Sequence, residues 1–192
     1  MNYLAHLYLS GESEGSIIGN FIADSVRGSQ FMNYPDRIKE GILLHRRIDS
    51  FTDKHEIVRK SKLRLMPEFH KYSTVIVDVF YDHFLAANWE EYSSVPLRKF
   101  CDSVYALLQK NAGMVPVRSA FFLHYMTTND ILFHYRSIEG IGKALRGLSY
   151  RARFKSNMHL AHLKLQKDLD LYKAEFDIFF RDLQKEVAKP RE

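Results

Sequence analysis

Cysteine is nearly missing: Cys101 is the single one in 192 residues, which excludes an intrachain disulfide and cysteine-based zinc-finger spacing. Only five prolines interrupt the chain, so few positions forbid a helix. No apolar run approaches the roughly 20 residues that a membrane helix needs. The opening stretch MNYLAHLYLSGESEG lacks a basic leader, and His6 sits in its short apolar part, so it does not read as a signal peptide. A cytoplasmic location is the expectation. There is no RNP-like run and no long Lys/Arg block, so nucleic acid is not an expected partner, and neither is a membrane. Strand-like alternation is scarce, and no internal repeat or low-complexity segment appears.

Helical periodicity, by contrast, recurs from end to end. Hydrophobic residues make up 46% and charged residues 27%, with 14 Phe and 11 Tyr to fill a core. The expectation is an all-α fold in one compact multi-helix domain spanning residues 1–192. Helices are predicted over 2–9, 16–26, from 35 through His45 to about 52, 54–65 with a turn at Pro67, 73–89, 97–109, 118–134, 138–148 and, as one long helix, 157–187. In the last of these, Leu165, Leu169, Tyr172, Phe176, Phe179, Leu183 and Val187 form the apolar stripe. The net charge of +5 favours an acidic partner.

Several polar residues do not belong in such helices. VIVDVFYDHFLAANW, residues 75–89, reads as a buried helix, yet Asp78, Asp82 and His83 lie inside it. Asp78 and Asp82 are four residues apart and share a face. A buried carboxylate is costly unless paired, protonated or bound to a metal. Three other helices carry similar misfits: His6; Asp24, four residues after Asn20; and His45 with Asp49. Two histidines and four aspartates suit Mn, Fe or Zn, and outnumber the needs of one ion, so one or two ions are expected. Arg46, beside His45, is a candidate for pairing with phosphate oxygens. His83 stands open as proton donor, ligand or second-layer support for a ligating carboxylate. Each residue also has a bland reading as a core hydrogen-bonding group, an interhelical cap or a surface ion pair.

These segments resemble a known family. NYLAHLYLS at the start, GNFIAD around Asp24, HRRIDSFTD from His45 to Asp53 and YDHFLAANW from Tyr81 are similar, in order and separation, to the bacterial acyl carrier protein phosphodiesterases. The resemblance implies hydrolysis of the phosphodiester that joins 4′-phosphopantetheine to a serine of holo-acyl carrier protein, with a divalent metal, typically manganese. It also implies an HD-like helical bundle, although the pair here runs Asp82-His83, the reverse of the HD order. Acyl carrier proteins are small and very acidic, in keeping with the positive charge here. The basic segment YRARFK, with Arg151 and Arg153, is a candidate docking element for that partner. Two alternatives stay open: an HD-like phosphohydrolase acting on a nucleotide or another small phosphoester, and a non-enzymatic helical binding protein.

Overall fold

The computed structural model describes residues 1–152, 154 and 156–190. Arg153, one of the two candidate docking arginines, lies outside the described residues. Among the described residues, eleven α-helices follow in chain order: α1 (Tyr3–Leu9), α2 (Glu14–Ile22), α3 (Asp36–Lys54), α4 (Glu56–Phe69), α5 (Ser73–Ala87), α6 (Leu97–Lys110), α7 (Val117–Thr128), α8 (Ile131–His134), α9 (Ile138–Arg151), α10 (Ala161–Lys167) and α11 (Leu169–Ala188). Among the described residues there is no strand, so the fold is all-α as expected. No helix among them is long and apolar enough to cross a membrane.

The sparse prolines mostly mark helix starts. Pro35, Pro96 and Pro116 stand immediately before α3, α6 and α7, where a missing N–H costs nothing. Asn2, Ser13 and Ser137 cap α1, α2 and α9 by accepting a hydrogen bond from a first-turn N–H.

The structure departs from the sequence reading at several helix ends. Pro67 falls inside α4 rather than at a turn, and the helix ends two residues later, where His70 takes a positive φ of 48°. The segment 118–134 breaks at Asp130, which takes a left-handed φ of 47° and pairs through its carboxylate with Arg98 Nη1 at 2.5 Å. The expected long helix 157–187 breaks at Asp168, between α10 and α11. That break spoils the phase of the stripe: Leu165 is buried, but Leu169 is exposed.

The core is centred on α5. Ten consecutive or near-consecutive residues from Ile76 to Ala86 are buried, Val77, Val79, Phe80 and Leu85 completely. A helix apolar on all sides must be surrounded, and α1, α4, α9 and α11 pack around this one. The aromatic face of α11 seals it: Tyr172 meets Phe80 at 5.2 Å between ring centroids, and Phe179 meets Tyr81 at 5.3 Å.

A second contact sets the geometry of the site. α2 and α3 cross where Gly19 faces Gly41, backbone against backbone. A Cβ on Gly41 would collide with the Ser16 carbonyl oxygen and the Asn20 nitrogen, and one on Gly19 with the Ile38 carbonyl. Only this close approach lets Asn20 of α2 reach His45 of α3. Gly41→Ala is therefore expected to cost about 1–3 kcal/mol, the usual range for overpacking. A thermal melt checks this; an unchanged midpoint would show that the two helices part freely.

Candidate metal centre

Four polar residues predicted from three separate stretches meet at one place. His6 rides on α1, Asp24 on a 3-10 turn, Ala23–Ser25, that continues α2, and His45 and Asp49 on α3. Asp24 thus leaves the α-helix that the sequence predicts for it. His6 Nε2 lies 3.2 Å from one Asp49 oxygen and His45 Nε2 lies 3.1 Å from the other. Asp24 approaches His45 Nε2 at 3.4 Å. The two imidazoles stack with centroids 4.1 Å apart. Ligand atoms of His6, His45 and Asp49 all fall within 4.8 Å of one another.

Asn20 fixes which way both rings face. Its Nδ2 donates to the His6 carbonyl oxygen and to Ser10 Oγ, each at 2.9 Å. Its Oδ1 must then point at the rings, 3.0 Å from His6 Nδ1 and 2.9 Å from His45 Nδ1. An amide oxygen only accepts, so both Nδ1 atoms carry protons and both Nε2 atoms face the carboxylates. This is the arrangement of metal-binding histidines whose far nitrogen is held by a carbonyl-type acceptor. Sequence reading placed Asn20 next to Asp24 but gave it no role in the site.

The charges are tightly coupled. Burial lowers the His6 pKa to about 4, with the neighbouring His45 working in the same direction. Burial also opposes charge on His45, but hydrogen bonds to Asp24 and Asp49 outweigh it and raise its pKa to about 9. Burial pushes Asp49 upward, yet the two imidazoles overcome that and hold it far below the usual carboxylate range. Neutral His6 then sets a lone pair on Nε2 against an Asp49 oxygen at 3.2 Å. A proton or a cation between them would relieve that contact. The donor set, two imidazole nitrogens and two carboxylates, fits Mn, Fe or Zn better than Ca or Mg.

The remaining predicted site residues go elsewhere. Asp82 is fully buried and turned toward α1, where its oxygens accept N–H bonds from Asn2 (3.3 Å), Leu4 (2.7 Å) and Ala5 (3.3 Å). Its burial is answered by the unmet donors of a helix N-terminus, not by the cluster. Burial raises its pKa to about 7, and the Met1 ammonium and the three N–H groups pull the other way. Asp78 lines the same cavity as the cluster, but accepts from the Met1 ammonium at 3.0 Å. His83 donates from Nδ1 to the Tyr135 carbonyl at 2.7 Å and does not line that cavity. Arg46 donates to the carbonyls of Val26 (3.0 Å) and Gly28 (2.9 Å) and stacks 5.0 Å over Phe31, bracing the turn after Asp24. Arg151 stays exposed, with Nε donating to the Gly147 carbonyl and its guanidinium 5.0 Å from the Tyr125 ring.

The cluster opens into a cavity of about 500 Å³ walled by Asn2, Tyr3, Thr52, Asp53, Thr74, Val75, Asp78, Arg118 and Leu148. Arg118, at the start of α7, is the one lysine or arginine among these residues, and it has no ion-pair partner among the described residues. Nothing in its sequence surroundings marks it, because it is brought in from a distant helix.

An all-helical fold in which two histidines and two aspartates open onto a shared cavity defines a helical protein with a candidate metal centre. Comparison with known sequences narrows this. The sequence profile of the acyl carrier protein phosphodiesterase family matches residues 1–183. A protein from Pectobacterium atrosepticum named acyl carrier protein phosphodiesterase is 34% identical over 152 residues, covering 79% of each chain. One of the same name from Salmonella agona is 30% identical over 190 residues, covering 98% of each. The chain belongs to the acyl carrier protein phosphodiesterase family and is an enzyme of the phosphodiesterase class. No solved structure matches it.

Proposed function

We propose that this enzyme hydrolyses the phosphodiester between 4′-phosphopantetheine and a serine of holo-acyl carrier protein, releasing apo-carrier protein and free 4′-phosphopantetheine. The observation that carries the reading is the pair of imidazole Nε2 atoms aimed at Asp49 while Asn20 holds both Nδ1 atoms. His6, Asp24, His45 and Asp49 would hold one divalent cation, with manganese the expected ion. Such an ion supplies Lewis acidity toward a phosphoryl oxygen and lowers the pKa of water.

The chain's own groups do the rest. Asn20 keeps both imidazoles in one tautomer and one orientation. Asp49, held ionised, spans the two rings. Arg118, which lines the same cavity, would serve as the cation for the phosphoryl oxygens, the role that sequence reading gave to Arg46. Arg118→Ala is expected to lower kcat by a factor of about 10²–10³, with Arg118→Lys retaining part of the rate. Wild-type kcat in the alanine variant would remove Arg118 from the mechanism.

Metal affinity should depend on pH in a defined direction. His45 is protonated up to about pH 9, and its Nε2 proton must leave before that nitrogen ligates. His6, with a pKa near 4, needs no such loss. Apparent affinity for Mn²⁺ should therefore rise by a factor of about 10 per pH unit as pH approaches 9 from below. Calorimetry at pH 7.5 should show about one proton released per ion. A binding heat independent of the buffer's ionisation enthalpy would mean that His45 is already neutral.

The reaction itself is tested by incubating the purified enzyme with holo-acyl carrier protein, with and without Mn²⁺, and weighing the carrier by mass spectrometry. Loss of the phosphopantetheine mass only with metal is expected. An intact holo-carrier in both arms overturns the proposal.

A further inference from the structure

The metal cavity extends past the cluster, and its two ends differ in chemistry. His45, Asp49 and Asp53 follow one another at steps of four on α3, so they share a face and span about 12 Å along the helix axis. One end of the cavity lies beside Asp24. The hydroxyls of Ser25 and Ser119 meet there at 2.7 Å, which brings the neighbouring Arg118 to that side. Tyr3, also in the wall, feels the charges of both Asp24 and Arg118. The other end lies beyond Asp49, where Asp53 of α3 and Thr74, Val75 and Asp78 of α5 form the wall.

The partners of these groups set the charge at each end. Arg118 has no ion pair among the described residues, so its end is cationic. At the far end Asp53 is paired with Lys62 and Asp78 with the Met1 ammonium, each at 3.0 Å. Lys62 also acts on Asp78, which puts the two carboxylates in one neighbourhood. Their charges are balanced, while their remaining lone pairs stay open as acceptors. The half-buried Thr74 hydroxyl has no hydrogen-bond partner among the described residues. Val75 adds apolar surface. Such a wall suits an uncharged chain that carries amide N–H groups and methylenes. It suits neither a phosphate nor an acidic protein, both of which carboxylates repel.

We propose that the Thr74–Val75 end of the cavity is the subsite for the pantetheine arm, so that the scissile phosphodiester lies between this end and Arg118. The proposal rests on the reaction assigned above, which supplies a substrate with an anionic phosphodiester between a neutral arm and an acidic carrier. Only one direction keeps like charges apart. With the arm toward Asp53 and Asp78, the carrier stands outside the Arg118 end; reversed, its carboxylates would face theirs. In the favoured direction the amide N–H and hydroxyl groups of the arm also meet acceptors, and its methylenes meet Val75.

The test is calorimetric binding of two ligands to the full-length enzyme in Mn²⁺ buffer: 4′-phosphopantetheine, and inorganic phosphate, which lacks the arm. The wild type should bind 4′-phosphopantetheine about tenfold or more tightly than phosphate, through the apolar contact the arm adds. Val75→Trp, which fills the subsite, should weaken 4′-phosphopantetheine by about tenfold or more and leave phosphate within about twofold. Thr74→Val, of nearly the same shape, should weaken 4′-phosphopantetheine by about threefold to tenfold through the lost hydroxyl, and it decides the matter if the tryptophan variant does not fold. Leu171→Trp, on the exposed face of α11, should change neither ligand by more than about twofold. Equal wild-type affinities for the two ligands, or equal losses for both in the Thr74 and Val75 variants, overturn the subsite; cleavage of holo-carrier by the wild type would then leave the reaction standing. Arm-dependent binding that these variants remove, in an enzyme that leaves holo-carrier intact, keeps the subsite and overturns the reaction.

Discussion

Replacing Asp49 with Asn should abolish metal-dependent turnover while leaving a folded, helical protein. The carboxylate touches both imidazoles, at 3.2 Å and 3.1 Å, so one substitution disturbs both halves of the donor set. An asparagine of the same shape presents an amide nitrogen, a donor, to one of those rings, and brings no negative charge to offset a divalent ion. The fold should survive, because the Asp49 side chain is 45% exposed. kcat at saturating Mn²⁺ should fall by more than about 10³, which corresponds to roughly 4 kcal/mol of lost transition-state stabilisation. Circular dichroism and a thermal melt show whether the fold is retained; mass analysis of holo-carrier shows whether turnover is lost. Turnover within tenfold of wild type would mean that Asp49 is not part of the reacting centre.

His45 and Asp49 were legible in the sequence because a helix puts residues four apart on one face. His6 and Asp24 were legible by a different signal, a polar group set in an apolar run, which demands some compensation. The same signal pointed to Asp82, and there the structure supplies N–H donors from the start of α1. A buried carboxylate is satisfied by a metal or by the free N–H groups that begin a helix, and sequence alone does not say which. The answer depends on which helix lies across from α5, and that is a matter of tertiary packing. Asn20 was passed over for the opposite reason: a neutral amide in a helix raises no energetic alarm, although here it orients both histidines. Arg46 was singled out and Arg118 passed over because proximity in sequence is a poor guide to which side of α3 an arginine faces. Arg46 follows His45 directly, yet turns to the Val26 and Gly28 carbonyls. The helices themselves were easier, since their apolar stripes repeat. What periodicity could not show was where a stripe is interrupted by a left-handed residue such as Asp130, whose carboxylate pairs with an arginine on another helix.

Asp82→Ala is expected to act on stability, and this separates its two possible roles. As a metal ligand, Asp82 would be removed with a loss of Mn²⁺ binding and little change in melting, since a metal-free carboxylate in an apolar wall is a burden. In the structure it instead takes three N–H bonds from the first turn of α1 and has no exposed surface. Alanine leaves those donors buried without partners, each at about 1–3 kcal/mol before relaxation. With three such donors and partial relaxation, a net loss of about 3–5 kcal/mol follows. For a chain of this length that lowers Tm by roughly 10 °C. Asparagine should do little better, because its amide nitrogen would face an N–H donor. α1 also carries His6, so Mn²⁺ binding should weaken as α1 loosens and recover on cooling well below the new midpoint. A melting curve like the wild type's, together with absent Mn²⁺ binding at low temperature, would return Asp82 to the metal. A lowered midpoint with binding restored in the cold places it under α1, holding the helix that presents His6 to the centre.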